Sequence, residues 1–179
     1  MTELGSVTWP PAPIKTDRLV LREPEARDRA AFIELLASPE VHTYLGGPHP
    51  RVELEREMPR VPERWPGSFV VALDGAMIGQ ILLRRATGHR CPAAAGKADL
   101  GYLFLPWAWG FGYAAEACAA ALDWFDGVLP GEPVVLTAQT ANVGSMRLAA
   151  KLGFTEIDRF HAWDAEQWLG LRSPVTPSA

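Results

Sequence analysis

Apolar residues recur along this chain at two spacings, and each spacing marks a type of regular structure. From Tyr113 onward, Ala114, Ala117, Cys118, Ala121, Leu122 and Phe125 share one face of a long helix. Earlier, Phe32, Ile33, Leu35 and Leu36 supply the stripe of a helix that opens after Pro24 and stops at Ser38-Pro39. Asn142 to Leu152 predicts a third helix, with Asn142 as its N-cap and Gly153 as its terminator. Short apolar runs predict strands over 18–22, 69–73, 77–83, 100–105, 134–138 and 154–163, with a last short one at 168–171. Asp74-Gly75 joins two of these as a hairpin, because a type I′ turn needs positive φ at both central positions. Residues 40–66 follow no single pattern: Glu53 to Glu57 read as helical, but Pro59 and Pro62 forbid one long helix. Residues 84–97 read as a loop. The pattern divides into a flexible Pro-containing lead-in (1–13), one α/β domain (14–172) and a flexible Pro/Ser tail (173–179).

Composition narrows the function classes. The 179 residues suit one domain with a single core, 48% of them apolar and 21% charged. A net charge of −4 argues against a broad basic face for nucleic acid. No apolar run approaches the roughly 20 residues that a membrane helix needs, and Met1 to Gly5 lacks the pattern of a secretory signal. The two cysteines, Cys91 and Cys118, have no metal-ligand spacing, and Cys118 falls on an apolar helix face. The expectation is a cytoplasmic protein with reduced thiols, no metal, no membrane and no nucleic-acid partner.

Candidate chemistry concentrates where the strand at 100–105 meets the long helix. Pro106-Trp107-Ala108-Trp109-Gly110-Phe111-Gly112-Tyr113-Ala114-Ala115-Glu116 places two glycines just ahead of a helix start. Glycines there permit backbone angles closed to other residues and let amide N–H groups converge on an anion. The helix start adds free donors and the positive end of its dipole. A pyrophosphate therefore fits over Gly110 to Ala115. The same spacing also satisfies a dinucleotide-binding turn, which requires an acid about 20 residues on at the end of the next strand. Glu132 has that count but precedes the strand, whose end carries Gln139-Thr140. Taken alone, the segment also admits a turn that binds nothing.

A second strand–turn–helix unit follows about 30 residues later, with Asn142, Ser145, Lys151 and Gly153-Phe154 along it. Together the segments resemble the GNAT superfamily of acetyltransferases, in the branch that includes ribosomal-protein N-terminal acetyltransferases. Thr16 to Arg22 resembles that branch's opening strand. Asp99-Leu100-Gly101-Tyr102, Trp109 to Ala117 and Asn142 to Phe154 resemble its acyl-CoA signatures. The resemblance implies a mixed, mostly antiparallel sheet of six or seven strands flanked by helices. Its central parallel pair, near 100–105 and 134–139, would splay where pantetheine enters.

The resemblance also implies roles. Acetyl-CoA would be the cosubstrate, with its pyrophosphate on the backbone of Trp109, Gly110, Phe111, Gly112, Tyr113, Ala114 and Ala115. Its pantetheine would run along Phe104 and Leu105, where an N–H polarises the thioester carbonyl. Asn142 would hydrogen-bond the pantetheine arm, Ser145 would protonate the departing sulfur, and Asp99 would act as general base. Tyr113 is an alternative proton donor, and pairing with Lys97 or a nearby Arg is the structural alternative for Asp99. Phe111 stands where many relatives carry a basic residue, which removes a phosphate contact. The acceptor is an amine, on a protein N-terminus or a small molecule, attacking directly in a ternary complex. A catalytically silent acyl-CoA-binding regulator and a nicotinamide-dependent oxidoreductase are the competing readings, and a homodimer is the commonest assembly for such a chain.

Overall fold

A computed structural model describes residues 2–174. Its strands are β1 (Ile14–Lys15), β2 (Leu19–Arg22), β3 (Ser68–Leu73), β4 (Ala76–Arg85), β5 (Ala98–Phe104), β6 (Val134–Gln139), β7 (Thr155–Ala162) and β8 (Ala165–Arg172). Its α-helices are α1 (Arg29–Ala37), α2 (Arg51–Glu57), α3 (Tyr113–Val128) and α4 (Val143–Lys151). The strands form one sheet in the order β1-β2-β3-β4-β5-β6-β8-β7. Every neighbouring pair is antiparallel except β5 with β6. No helix among the described residues is long and apolar enough to cross a membrane.

Alternation along the strands sorts side chains to two faces. Leu19, Leu21, Phe69, Val71, Ile81 and Leu83 pack in one cluster with Ala117, Cys118, Ala121, Leu122 and Phe125 of α3. Each buried Leu or Phe there contributes about 1.5–3 kcal/mol, and the alanines let the helix lie close to the strands. Val70, Met77 and Leu105 pack the other face against Phe32 and Leu35 of α1. The Asp74-Gly75 turn has the expected positive φ values, 50° and 82°.

Three features differ from the sequence reading. The sheet has eight strands rather than six or seven, because β1 adds a short edge and β8 runs for eight residues between β6 and β7. The lead-in is packed rather than loose. Leu4 is buried, Thr2 bridges to Arg85, and the Trp9 ring meets Phe69 and Trp124 edge-on at 5.0 and 5.5 Å. The tail expected over 173–179 lies mostly outside the described residues.

One irregularity positions the site. β5 and β6 pair only at Ala98–Val134 and Asp99–Val135. Beyond that point β5 continues to Phe104 and β6 to Gln139 without pairing, so the two strands part.

Candidate active site

The gap between β5 and β6 opens onto the start of α3. Gly110 and Gly112 hold φ values of 85° and 80°, in the left-handed region. Any L residue at Gly112 would cost about 1–2 kcal/mol there. The first bond into the helix runs from the Glu116 N–H to the Gly112 carbonyl at 3.2 Å. The six N–H groups from Gly110 to Ala115 have no acceptor among the described residues. These donors, with the helix dipole behind them, form an anion cradle. The Trp109 N–H is committed to the Pro106 carbonyl at 3.1 Å, so these free donors begin at Gly110, one residue after the start that the family resemblance implied.

A cross-brace holds this turn. Arg18 Nε donates to Glu116 Oε1 at 2.8 Å, and its Nη1 donates to the Phe111 carbonyl at 2.8 Å. The Thr16 hydroxyl and the Arg18 N–H donate to Glu116 Oε2 at 2.6 and 3.1 Å. The Arg18 guanidinium also lies over the Tyr113 ring, 4.6 Å from its centre. Partial burial raises the Glu116 pKa, but the hydrogen bonds from Thr16 and Arg18 outweigh it and leave the carboxyl below its ordinary value. Thus Thr16 and Arg18, in the turn just ahead of β2 and legible in the sequence as part of a motif, brace the start of α3.

The gap widens into a cleft of about 830 Å³. Of the residues proposed from sequence, Phe104, Trp109, Gly110, Gly112, Tyr113, Ala114, Ala115, Asn142 and Ser145 line it. Phe111 does not. Its exposed ring stacks on Tyr113 at 5.5 Å and borders a smaller hollow flanked by Arg18 and Lys151. Leu105 does not either. Its side chain is buried against α1, and its N–H is committed to the Ile78 carbonyl at 2.9 Å. Successive N–H groups of a strand point to opposite edges. Since the Leu105 N–H faces β4, the Phe104 N–H faces the gap.

Ser145 and Tyr102 meet across the cleft, with the Tyr102 hydroxyl 2.7 Å from Ser145 Oγ. The Ser145 N–H donates to Asn142 Oδ1 at 3.2 Å, which fixes α4's first turn, and the Asn142 amide N–H₂ has no acceptor among the described residues. Burial pushes the Tyr102 phenol up to about 12, against a smaller opposing pull from its bond to Ser145. Tyr102 therefore stays protonated and can donate to Ser145, whose own proton is then free to point into the cleft. In the sequence, Tyr102 stands in the Asp99-Leu100-Gly101-Tyr102 motif without a role, since nothing local signals a partner 43 residues away.

Asp99 sits one position before the cleft-lining Leu100, half-buried and without a hydrogen bond or ion pair among the described residues. Lys97 instead donates to the Ala93 carbonyl at 2.9 Å, and Arg84 lies 3.7 Å from the centre of the Trp65 ring. Burial raises the Asp99 carboxyl to about 7.

Two tryptophans, Trp109 and Trp163, line the cleft, whereas Trp65 is buried beneath Arg84 and Trp107 lies exposed outside the lining. Both cysteines are free and buried outside the cleft lining, and burial pushes the Cys118 thiol far up. Among the described residues no cluster of His, Cys, Asp or Glu has the makings of a metal site. Glu132 pairs with Arg85, one bond at 3.1 Å, and the sheet lacks the parallel order that a dinucleotide turn serves.

Comparison with known proteins agrees with this geometry. Residues 18–155 match the family model described as an acetyltransferase (GNAT) domain. The uncharacterized protein YkkB of Bacillus subtilis is 28% identical over 153 residues, covering 83% of this chain and 88% of that protein. A GNAT-family acetyltransferase from Bacillus anthracis superposes with a TM-score of 0.72 at 22% identity, covering 90% of this chain and 98% of its own. The spermidine N-acetyltransferase of Vibrio cholerae, solved with CoA and spermine, superposes with a TM-score of 0.68 at 19% identity, covering 89% and 97%.

Proposed function

The chain belongs to the GNAT acetyltransferase family, and on that premise we propose that it passes the acetyl group of acetyl-CoA to the amine of a small molecule. The observation that carries this reading is the run of six N–H groups, Gly110 to Ala115, unpaired among the described residues and opening on the gap between β5 and β6. Two phosphates need several converging donors and a positive field, and this helix start supplies both. Arg18 and Lys151, around the adjoining hollow, suit the further negative charge of the nucleotide end. A relative solved with CoA and spermine supports a thioester donor and an amine acceptor.

Each residue then has a task. The Phe104 N–H, aimed into the gap, donates to the thioester carbonyl oxygen as charge builds there. The free Asn142 amide holds the pantetheine arm. Asp99, with a carboxyl near 7, takes the proton that an alkylammonium must lose before it attacks, directly or through water. Ser145, aimed into the cleft by its bond from Tyr102, relays the second proton that the attacking nitrogen sheds to the departing thiolate, whose conjugate acid has a pKa of about 8.5. With both cysteines buried outside the cleft, the amine attacks the thioester directly in a ternary complex. Kinship to the branch of ribosomal-protein N-terminal acetyltransferases rests on Thr16 to Arg22 and concerns descent rather than acceptor.

Mass spectrometry of reactions with acetyl-CoA and a panel of amines tests the reading. Acetylated product and free CoA in equal amounts are expected. CoA binding without acetylation of any amine favours the silent regulator, and no binding of CoA overturns the reading.

A further inference from the structure

One wall of the cleft is formed by residues 40–46, the end of β6 and the tip of the β7–β8 hairpin, and on the acetyl-transfer reading it is the wall left for the acceptor. Gln139 fixes the first of these by donating to the Tyr44 carbonyl at 3.1 Å. Among the cleft-lining residues only Glu40 is charged, and it lies exposed at the rim. Tyr44, Leu45, Leu103 and Trp163 supply the wall's apolar surface, with Thr43, Gln139 and Gln167 as uncharged polar neighbours.

Trp163 is the unusual member. It and Asp164 form the hairpin turn at φ values of 53° and 57°, positions that favour glycine or asparagine. A bulky ring held there, half in solvent and half lining a cleft, has no core to stabilise. The Arg90 guanidinium lies 4.6 Å from the ring centre and backs it. A costly backbone placement at a cleft mouth points to a role in what enters.

On the acetyl-transfer reading above, we propose that the acceptor is a singly charged amine carrying an apolar or aromatic body, seated between Tyr44 and Trp163. A polyamine brings several ammonium groups, and each charge buried without a partner is penalised heavily. Besides exposed Glu40, no acidic side chain is among the described residues that line the cleft, and Asp99, next to the lining Leu100, serves one reacting nitrogen. The apolar body instead gains from leaving water against the two rings.

Steady-state rates with acetyl-CoA and 2-phenylethylamine, spermidine or an Ala-Ala-Ala amide peptide decide the matter. The expected kcat/KM for 2-phenylethylamine exceeds both others at least tenfold. Trp163→Ala raises KM for 2-phenylethylamine at least fivefold while KM for acetyl-CoA stays put, and Trp163→Phe restores most of the loss. Faster turnover of spermidine or of the peptide overturns the proposal, as does an unchanged KM in Trp163→Ala. Should none of the three be acetylated while calorimetry still shows CoA binding, acetyl transfer itself fails and takes this inference with it.

Discussion

The hydroxyl of Tyr102 lies 2.7 Å from that of Ser145, tying β5 to α4 across the parted strands. Neither residue carries a charge, yet the pair gives Ser145 a fixed direction. A neutral hydrogen bond of this kind contributes about 0.5–1.5 kcal/mol to stability. Its catalytic weight is larger if Ser145 protonates the leaving thiolate.

Ser145→Ala is expected to lower kcat at least tenfold with the CoA dissociation constant within twofold of wild type. Tyr102→Phe keeps the ring and removes only the donor, so its kcat falls less, about three- to tenfold. Steady-state kinetics beside calorimetry separate the two effects. Full turnover in Ser145→Ala would remove it from the mechanism.

Asp99 yields a pH prediction in rate and in stability. With its carboxyl raised to about 7, kcat/KM climbs with pH through that value, and Asp99→Asn loses the step and at least tenfold in rate at pH 8. A raised carboxyl favours the folded state below the unfolded pKa, and this advantage is lost as pH rises from about 4 to 7. Asp99→Asn therefore stabilises the protein more at pH 8 than at pH 5. After discounting for partial exposure, the difference is roughly 2 kcal/mol. Thermal melts at the two pH values check the sign.

Much of the fold was legible because its signals are local. The apolar spacing of α3, the Asp74-Gly75 hairpin and the glycines ahead of Tyr113 each constrain their own segment, and the structure matches them. What escaped depends on distant partners. The pattern marked only 168–171 of β8, because Glu166, Gln167 and Gly170 interrupt its alternation and pairing with both β6 and β7 stabilises it instead. Prolines in the lead-in masked the burial of Leu4 and Trp9. Leu105 and Phe104 were indistinguishable by composition, and only the register against β4 shows which N–H faces the gap.

The Glu116 brace gives a prediction of opposite sign. Its carboxyl, held below the ordinary value by Thr16 and Arg18, contributes stability that is present above the unfolded pKa and is lost as pH falls through the folded one. Glu116→Gln is expected to destabilise at pH 7 but hardly at pH 3. It also loosens the Phe111 to Tyr113 turn, weakening CoA binding about three- to tenfold with kcat at saturation little changed. Melting curves and titration calorimetry report the two effects.

At Gly112 a side chain has room but not the backbone angle: the nearest atom to an added Cβ is an Arg18 nitrogen at 3.5 Å. Gly112→Ala is expected to cost about 1–2 kcal/mol of stability from positive φ and to weaken CoA at least tenfold as the cradle shifts. Wild-type affinity in that variant would mean the turn does not hold the phosphates.

Amide NMR on the labelled protein tests the cradle most directly. Titration with CoA is predicted to shift the N–H resonances of Gly110 to Ala115 strongly downfield, whereas pantetheine, which lacks the phosphates, leaves them nearly in place. If CoA binds and perturbs other residues while those six resonances stay where they were, the phosphates lie elsewhere and the account of the site is wrong.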